Sequence, residues 1–289
     1  IAVNYLRIVF AGLIFTFFYN FLAATMRALG DSKTPFWFLL FSTILNIVLD
    51  LFCILTLGWG VAGAAIATVF SQGLSALLCY IYMYRKFDIL KTEPADRRFR
   101  GDLARQLLYI GVPMGLQFSI TAIGSIMLQS ANNALGTACV AAFTAAMRIK
   151  MFVMCPLDSL GMAMATYSGQ NYGAGKPDRI WMGIKSATLM MTVYVIAIGA
   201  LMWGLAEKFA LLFISPDETE IIDDTALFLH INTSFFFLLG MLSILRYSIQ
   251  GAGYTRLAMF SGVSEMVARV LVSLIAVSYT HLRAHETEL

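Results

Sequence analysis

The sequence predicts an all-α integral membrane protein, and two observations carry this prediction. The chain has 289 residues, of which 59% are hydrophobic and only 13% are charged, and its mean hydropathy is +0.77. A soluble domain carries about 25% charged residues. The apolar stretches are also long enough to cross a bilayer as helices, which takes about 20 residues. They lack the alternation over about ten residues that is typical of barrel strands.

Eight stretches are predicted to span the membrane. Two of them contain residues that can bend a helix, namely 111–113 (GVP) and Pro156. The predicted spans, in chain order, are 8–29, 36–57, 61–84, 104–131, 138–167, 181–205, 226–249 and 257–279.

The loops between these spans alternate in charge, which predicts their orientation. Every second loop is basic, from Arg27 and Lys33 to Arg256, whereas the others are neutral or acidic. By the positive-inside rule the basic loops are cytoplasmic. The one long polar connection, 85–103, is predicted to be a cytoplasmic linker. Anionic lipid accounts for its basic residues, so no nucleic-acid partner is expected.

An internal repeat relates the first two spans to the last two. A shift of 223 residues aligns them without a gap. In both connecting loops a glycine is followed, three positions later, by a basic residue. Both copies have the same predicted orientation, as in transporters built from parallel repeats. The aligned pairs are Gly30 with Gly253, Lys33 with Arg256, Ser42 with Glu265, and Asn46 with Arg269.

Asp50 is the strongest candidate for a functional residue. It lies in a long apolar span, where a charged side chain costs at least about 2.5 kcal/mol and usually marks an ion or proton pathway. Asn46 is one turn earlier on the same face, and Ala64 and Thr68 have the same spacing on the next span. Their oxygens suit Na⁺, and Asp50 could alternate between Na⁺ and a proton. The alternative is a hydrogen-bonded pair that only packs the helices.

A second polar group lies in the later spans. Arg148 and Lys150 fall on the fifth span, and Glu265 and Arg269 are one turn apart on the last. We expect an electrostatic cluster in which Glu265 balances one of these bases. The alternative is a structural ion pair without a role in transport.

Several motifs resemble the multidrug and toxic compound extrusion (MATE) family. They occur in the family's order and spacing, and the resemblance covers about residues 3–278. The motifs are MRALGDSKTP (26–35), NIVLD (46–50), GVAGAAIAT (60–68), GVP (111–113) and SGQNYGAG (168–175).

The resemblance implies a two-lobed bundle of twelve helices, of which this chain holds about eight. Residues 1–84 would be helices four to six of the N-lobe, 85–103 the linker, and 104–279 helices seven to eleven of the C-lobe. Residues 280–289 are predicted to be a non-native tail. We expect the natural protein to be longer at both ends.

The resemblance also implies a function. Relatives export organic, often cationic, compounds in exchange for Na⁺ or H⁺, by alternating access. Their N-lobe cation site corresponds to Asn46, Asp50, Ala64 and Thr68, with Asp50 as the Na⁺ ligand, and an acid of helix one lies outside this chain. The implied protein is a monomer of the bacterial inner membrane. Its partners are small molecules and lipid, and it needs no cofactor beyond the coupling ion.

Two other functions remain open at this point. A lipid-linked oligosaccharide flippase of the same superfamily would use a basic cavity, which Arg148, Lys150 and Arg269 could form. A membrane-embedded enzyme would need clustered catalytic residues, and the sequence holds no HExxH, GxSxG or paired-carboxylate motif. The chain is therefore predicted not to be an enzyme.

Overall fold

The computed structural model describes residues 2–91, 99–133 and 136–287. Within these ranges the chain forms helices and no β-strand. The α-helices are α1 (Ala2–Ala28), α2 (Lys33–Leu51), α3 (Gly60–Lys86), α4 (Gly101–Asn133), α5 (Thr137–Gly173), α6 (Pro177–Ala210), α7 (Thr219–Ser234), α8 (Phe236–Gly251) and α9 (Thr255–Thr287).

The described helices confirm the prediction of an all-helical membrane fold. Seven of them are long and apolar enough to cross a membrane, and α7 with α8 adds an eighth if the bent pair is one span. This pair bends by 49° at Phe235. The helical backbone of α4 and α5 is unbroken at Pro113 and Pro156, where bending points were predicted.

The chain divides into two compact units, each described separately below. Unit 1 is Ile1–Arg100 and unit 2 is Gly101–Leu289. Of the predicted linker 85–103, residues 92–98 lie outside the described residues. The same holds for 288–289 of the predicted tail, whose described residues continue α9. The assignment of these units to lobes stays a prediction.

Helix α3 is the centre of unit 1, because it packs against both α1 and α2. Apart from Met83 its buried residues are small, including Gly63, Ala67 and Ser71, which let helix backbones approach closely. Ser42 Oγ donates a hydrogen bond to the Ser71 carbonyl at 3.2 Å, which ties α2 to α3. These contacts fix the register between the two helices that carry the first candidate site.

Unit 2 is built around two helix groupings. Helix α5 packs against α6, α7 and α8, and α4 packs against α9. The α5 grouping has a buried apolar core around Ile149, Met202 and Phe236, and a second around Leu157 and Met191. One side of α5 is therefore committed to packing, and the polar residues of its other side lie against a cavity described below.

The two turns related by the internal repeat have the same backbone geometry. Gly30 and Gly253 both adopt positive φ, at 91° and 90°, a conformation that glycine accepts without a Cβ penalty. In each turn, a backbone N–H then donates a hydrogen bond to the carbonyl five residues earlier, which closes the preceding helix. These bonds join Asp31 N–H to Met26 O (2.9 Å) and Tyr254 N–H to Ile249 O (3.1 Å).

Candidate functional site

The first candidate site lies where α2 ends and α3 begins. After Asp50 the helix widens into a π-helical turn, Phe52–Thr56, and then reverses through Gly58 and Gly60, both with positive φ. Such π-turns are rare in proteins, and many of those that occur lie at functional sites. The short reversal returns the chain alongside α2, so that the polar residues of α3 meet those of α2.

The four predicted residues form one hydrogen-bonded cluster. The Asn46 amide nitrogen lies 3.4 Å from Asp50 Oδ1 and 3.3 Å from Thr68 Oγ1. The Thr68 hydroxyl donates to the Ala64 carbonyl at 2.9 Å. We call these four residues the α2–α3 cluster.

The α2–α3 cluster can offer four oxygens of different kinds. They are a carboxylate, a side-chain amide, a hydroxyl and a backbone carbonyl, the ligand types that hard cations take. The two bonds from Asn46 are at the long end for hydrogen bonds, so the amide is only weakly engaged. Asp50 is half-buried and has no ion-pair partner among the residues that the structure describes. An oxygen set with one negative charge and weak internal hydrogen bonds suits reversible binding of a cation.

The second candidate site lies in unit 2 and is centred on Glu265. Its carboxylate accepts from Arg269 at 2.5 Å and from Arg246 at 3.2 Å, so that one acid joins two arginines on α8 and α9. Arg269 also donates to Ser125 on α4 at 2.5 Å. Of the four residues predicted for this cluster, Glu265 and Arg269 are thus in direct contact.

The other two predicted residues lie on α5 and pair differently. Lys150 Nζ donates to Asn232 Oδ1 on α7 at 2.9 Å. Within the described part of the chain, Arg148 has neither a hydrogen bond nor an ion pair. Neither base contacts Glu265 within 4.0 Å, although Glu265 and Arg269 both act electrostatically on Lys150.

Arg148, Lys150 and Arg269 line a cavity within unit 2 of about 850 Å³, and Glu265 lies outside this lining. Methionines and two phenylalanines, Phe143 and Phe228, form much of its wall. The polar residues in its lining include Gln129, Arg148, Lys150, Asp158, Asn232 and Arg269.

Sequence reasoning missed Arg246 and Asn232. Arg246 carries a charge inside a predicted span, the same signal that drew attention to Asp50, and applying that rule uniformly would have found it. Asn232 gave no signal, because its partner Lys150 is 82 residues away in the chain.

A third polar group lies outside the spans, at the turn between α1 and α2. Lys86 Nζ contacts Asp31 Oδ2 at 2.7 Å and Tyr82 Oη at 2.5 Å. The hydrogen bond from Lys86 lowers the pKa of Asp31 to about 2, and bonds from the backbone and side chain of Thr34 act in the same direction. This group fastens the turn to the end of α3.

Two family models match parts of this chain, and a solved membrane protein has a similar fold. Residues 112–275 match the family model MatE, and residues 2–96 match the model described as lipid II flippase MurJ. The chain is similar at TM-score 0.84 and 22% identity to an outward-facing multidrug resistance MATE family transporter of the MOP superfamily, and it covers 67% of that structure.

Two curated relatives are similar in sequence. A probable multidrug resistance protein, YpnP of Bacillus subtilis, is 31% identical over 75% of this chain. Another, NorM of Thermotoga maritima, is 23% identical over 97% of it. The chain spans only 48% and 61% of the lengths of these two relatives.

The described helices define a multi-pass membrane protein. The MatE match covers more than half of the chain, so this chain belongs to the MatE family. The expectation that the sequence resembles MATE proteins is confirmed.

Proposed function

We propose that the complete protein, meaning the reading frame that contains residues 1–289, is a secondary active antiporter. It exports organic compounds in exchange for Na⁺ or H⁺ by alternating access. The α2–α3 cluster supports this proposal most, because a half-buried carboxylate, with no basic partner in the described part of the chain, is linked there through Asn46 to two further oxygen-bearing groups. In this proposal Asp50 is the ion ligand or proton carrier, and Asn46, Thr68 and the Ala64 carbonyl complete the site.

The coupling would arise from a difference in ion affinity between two states. A ligand shifts a conformational equilibrium only by its differential affinity for the two forms. The long Asn46 bonds and the π-turn after Asp50 give the α2–α3 cluster room to be tighter in one state than in the other. Ion occupancy would then bias the complete protein toward one side of the membrane.

The organisation expected from the sequence belongs to the same proposal. Unit 1 would contribute helices four to six of the N-lobe, and unit 2 helices seven to eleven of the C-lobe. The basic loops would face the cytoplasm of a bacterial inner membrane, and the protein would act as a monomer without an organic cofactor. The names of the relatives refer to multidrug resistance and support export of small organic molecules.

The test is efflux from proteoliposomes that contain the complete protein. Separate Na⁺ and H⁺ gradients are imposed, and one cationic and one anionic fluorescent dye are followed. Asp50→Asn should reduce gradient-driven efflux to the background of empty vesicles, whereas Asp178→Asn on the exposed start of α6 should retain it. Thr68→Ser should keep more efflux than Thr68→Val, because serine preserves the hydroxyl oxygen. Wild-type efflux by Asp50→Asn would contradict the proposal.

A second candidate is a flippase for an anionic lipid, and the match of residues 2–96 to lipid II flippase MurJ favours it. It predicts inversion of a fluorescent polyprenyl diphosphate and no efflux of soluble dyes. The same vesicles distinguish the two functions.

A further inference from the structure

The cavity of unit 2 has an unusual balance of charge for a site inside membrane-spanning helices. Its lining contains three bases, Arg148, Lys150 and Arg269, and a single acid, Asp158. The ion pairs adjoining the cavity add Arg246 and Glu265, one of each sign. Among the described residues, four bases therefore face two acids.

One of the two acids is already paired with arginines. Glu265 is shared between Arg246 and Arg269, whereas Asp158, Arg148 and Lys150 make no ion pair within 4.0 Å among the described residues. The excess positive charge therefore falls on Arg148 and Lys150. Because uncompensated charge at membrane depth is costly, such side chains usually mark a ligand or ion pathway.

These two bases also have unused hydrogen-bond donors. Lys150 donates one of its three ammonium hydrogens to Asn232. Arg148 donates none of its five N–H groups to a described residue. They are two residues apart on α5, and both reach the same cavity. A guanidinium matches the planar oxygens of a carboxylate or phosphate, and an ammonium adds a point charge.

The rest of the cavity suits an apolar body. Met147, Met151 and Met154 lie on α5 beside the two bases, and Phe143 and Phe228 form a perpendicular ring pair with centroids 5.2 Å apart. Methionine side chains adapt to irregular shapes. The volume of about 850 Å³ is in the range that holds a drug-sized molecule.

We propose that this cavity binds the anionic group of an amphipathic organic compound, through Arg148 and Lys150, with the compound's apolar part against the methionines and phenylalanines. The proposal rests on the proposed function, because it names the class of compound that the transporter carries. It differs from the often cationic cargo that the family resemblance implies. A carboxylate, sulfonate or phosphate provides the required charge, on either a soluble compound or a lipid.

The test measures equilibrium binding to the purified complete protein, with no gradient imposed. The probes share a pyrene ring and differ in the head group: pyrenebutyrate is an anion, pyrenebutanol is neutral, and pyrenebutyltrimethylammonium is a cation. The double variant Arg148→Gln, Lys150→Gln should weaken binding of the anion by about tenfold to hundredfold, the effect of losing charge-assisted hydrogen bonds. Its binding of the other two probes should change far less.

Two matched variants control for net charge and for folding. Lys185→Gln removes one positive charge from the exposed surface of α6, away from the cavity, and should leave binding of the anion unchanged. Lys150→Arg keeps the charge and should retain most of the affinity. The thermal unfolding midpoint of each variant shows that the protein is folded.

The outcomes separate this inference from the proposed function. If the wild type prefers the cation, or if the double variant is folded and binds the anion normally, the inference is wrong even where Asp50-dependent efflux is intact. Selective binding of the anion that is lost in the double variant supports the inference even if efflux needs no gradient. Pyrene-labelled phosphatidate in nanodiscs gives the lipid arm: competition with pyrenebutyrate indicates a lipid source, and binding of pyrenebutyrate alone a soluble one.

Discussion

Helices α2 and α9 occupy corresponding places in the internal repeat, and they carry opposite chemistry. At the offset of 223 residues, Asn46 and Asp50 of α2 correspond to Arg269 and Ser273 of α9. The first pair forms an anionic, weakly bonded cluster with α3, whereas Arg269 is held by an acid on its own helix. One helical framework thus supports a carboxylate cluster in one unit and an arginine cluster in the other.

The backbone of the repeat and its chemistry are set by different residues. The turns before α2 and α9 share a positive-φ glycine and the same closing hydrogen bond. Asn46 and Asp50, about four and five turns into α2, then differ from their counterparts in α9, because the turn and the apolar packing already fix the helix. Polar clusters of opposite charge can arise in this way within one fold.

The first way to test this comparison is at Glu265 and its counterpart Ser42. Glu265 joins two arginines, and Ser42 makes one interhelical hydrogen bond. Glu265→Gln should lower the free energy of unfolding by about 3 kcal/mol, because it leaves two half-buried cations without their acid. Ser42→Ala should cost about 1 kcal/mol. Thermal unfolding of the complete protein measures both, and equal effects would contradict the different roles assigned to these positions.

The second test compares Gly251 with its counterpart Ala28, each the last residue of its helix. A Cβ on Gly251 would collide with the Ala165 carbonyl of α5, a backbone atom that cannot rotate away. Gly251→Ala should therefore cost about 2 kcal/mol through overpacking. Ala28→Gly, at an exposed position, should cost no more than about 1 kcal/mol. If Gly251→Ala leaves the unfolding midpoint unchanged, the close approach of α8 to α5 is wrong.

The smallest expected effect is a dependence on pH at one of the two turns. Asp31 has a pKa of about 2 in the folded chain, below the ordinary value of 3.8, so its stabilising contribution is present above about pH 4. It is lost as the pH falls through about 2. The corresponding residue in the second turn is Tyr254, whose hydroxyl lies 3.1 Å from that of Tyr172, so this position holds no carboxylate. The stability difference between the wild type and Asp31→Asn should therefore shrink on acidification, and a constant difference would contradict the ion pair with Lys86.

Much of the fold could be predicted from the sequence, because long apolar runs and alternating loop charge specify spans directly. The exception is the break at Phe235, which contains neither proline nor glycine, while α4 and α5 pass through Pro113 and Pro156 unbroken. Bilayer-spanning helices tolerate proline when neighbouring groups satisfy the freed backbone. Proline alone was therefore a poor guide to where a span bends.

The candidate sites were predictable to different degrees. The α2–α3 cluster follows from one-turn spacing on two helices joined by a short loop, so local rules bring its four residues together. In unit 2 the partners of the charged residues come from separate helices, as with Lys150 and Asn232 or Glu265 and Arg246. Such pairs depend on tertiary packing, which spacing along the chain does not encode.

The most direct measurement of the central claim is the infrared difference spectrum of the complete protein as pH and Na⁺ are varied. If Asp50 is the ion ligand or proton carrier, a carboxyl group inside the membrane should gain a proton on acidification, or its carboxylate band should shift when Na⁺ is added. Either signal should vanish in Asp50→Asn and persist in Asp178→Asn. A signal of unchanged size in Asp50→Asn would show that the ion acts elsewhere, and the account of the α2–α3 cluster would be wrong.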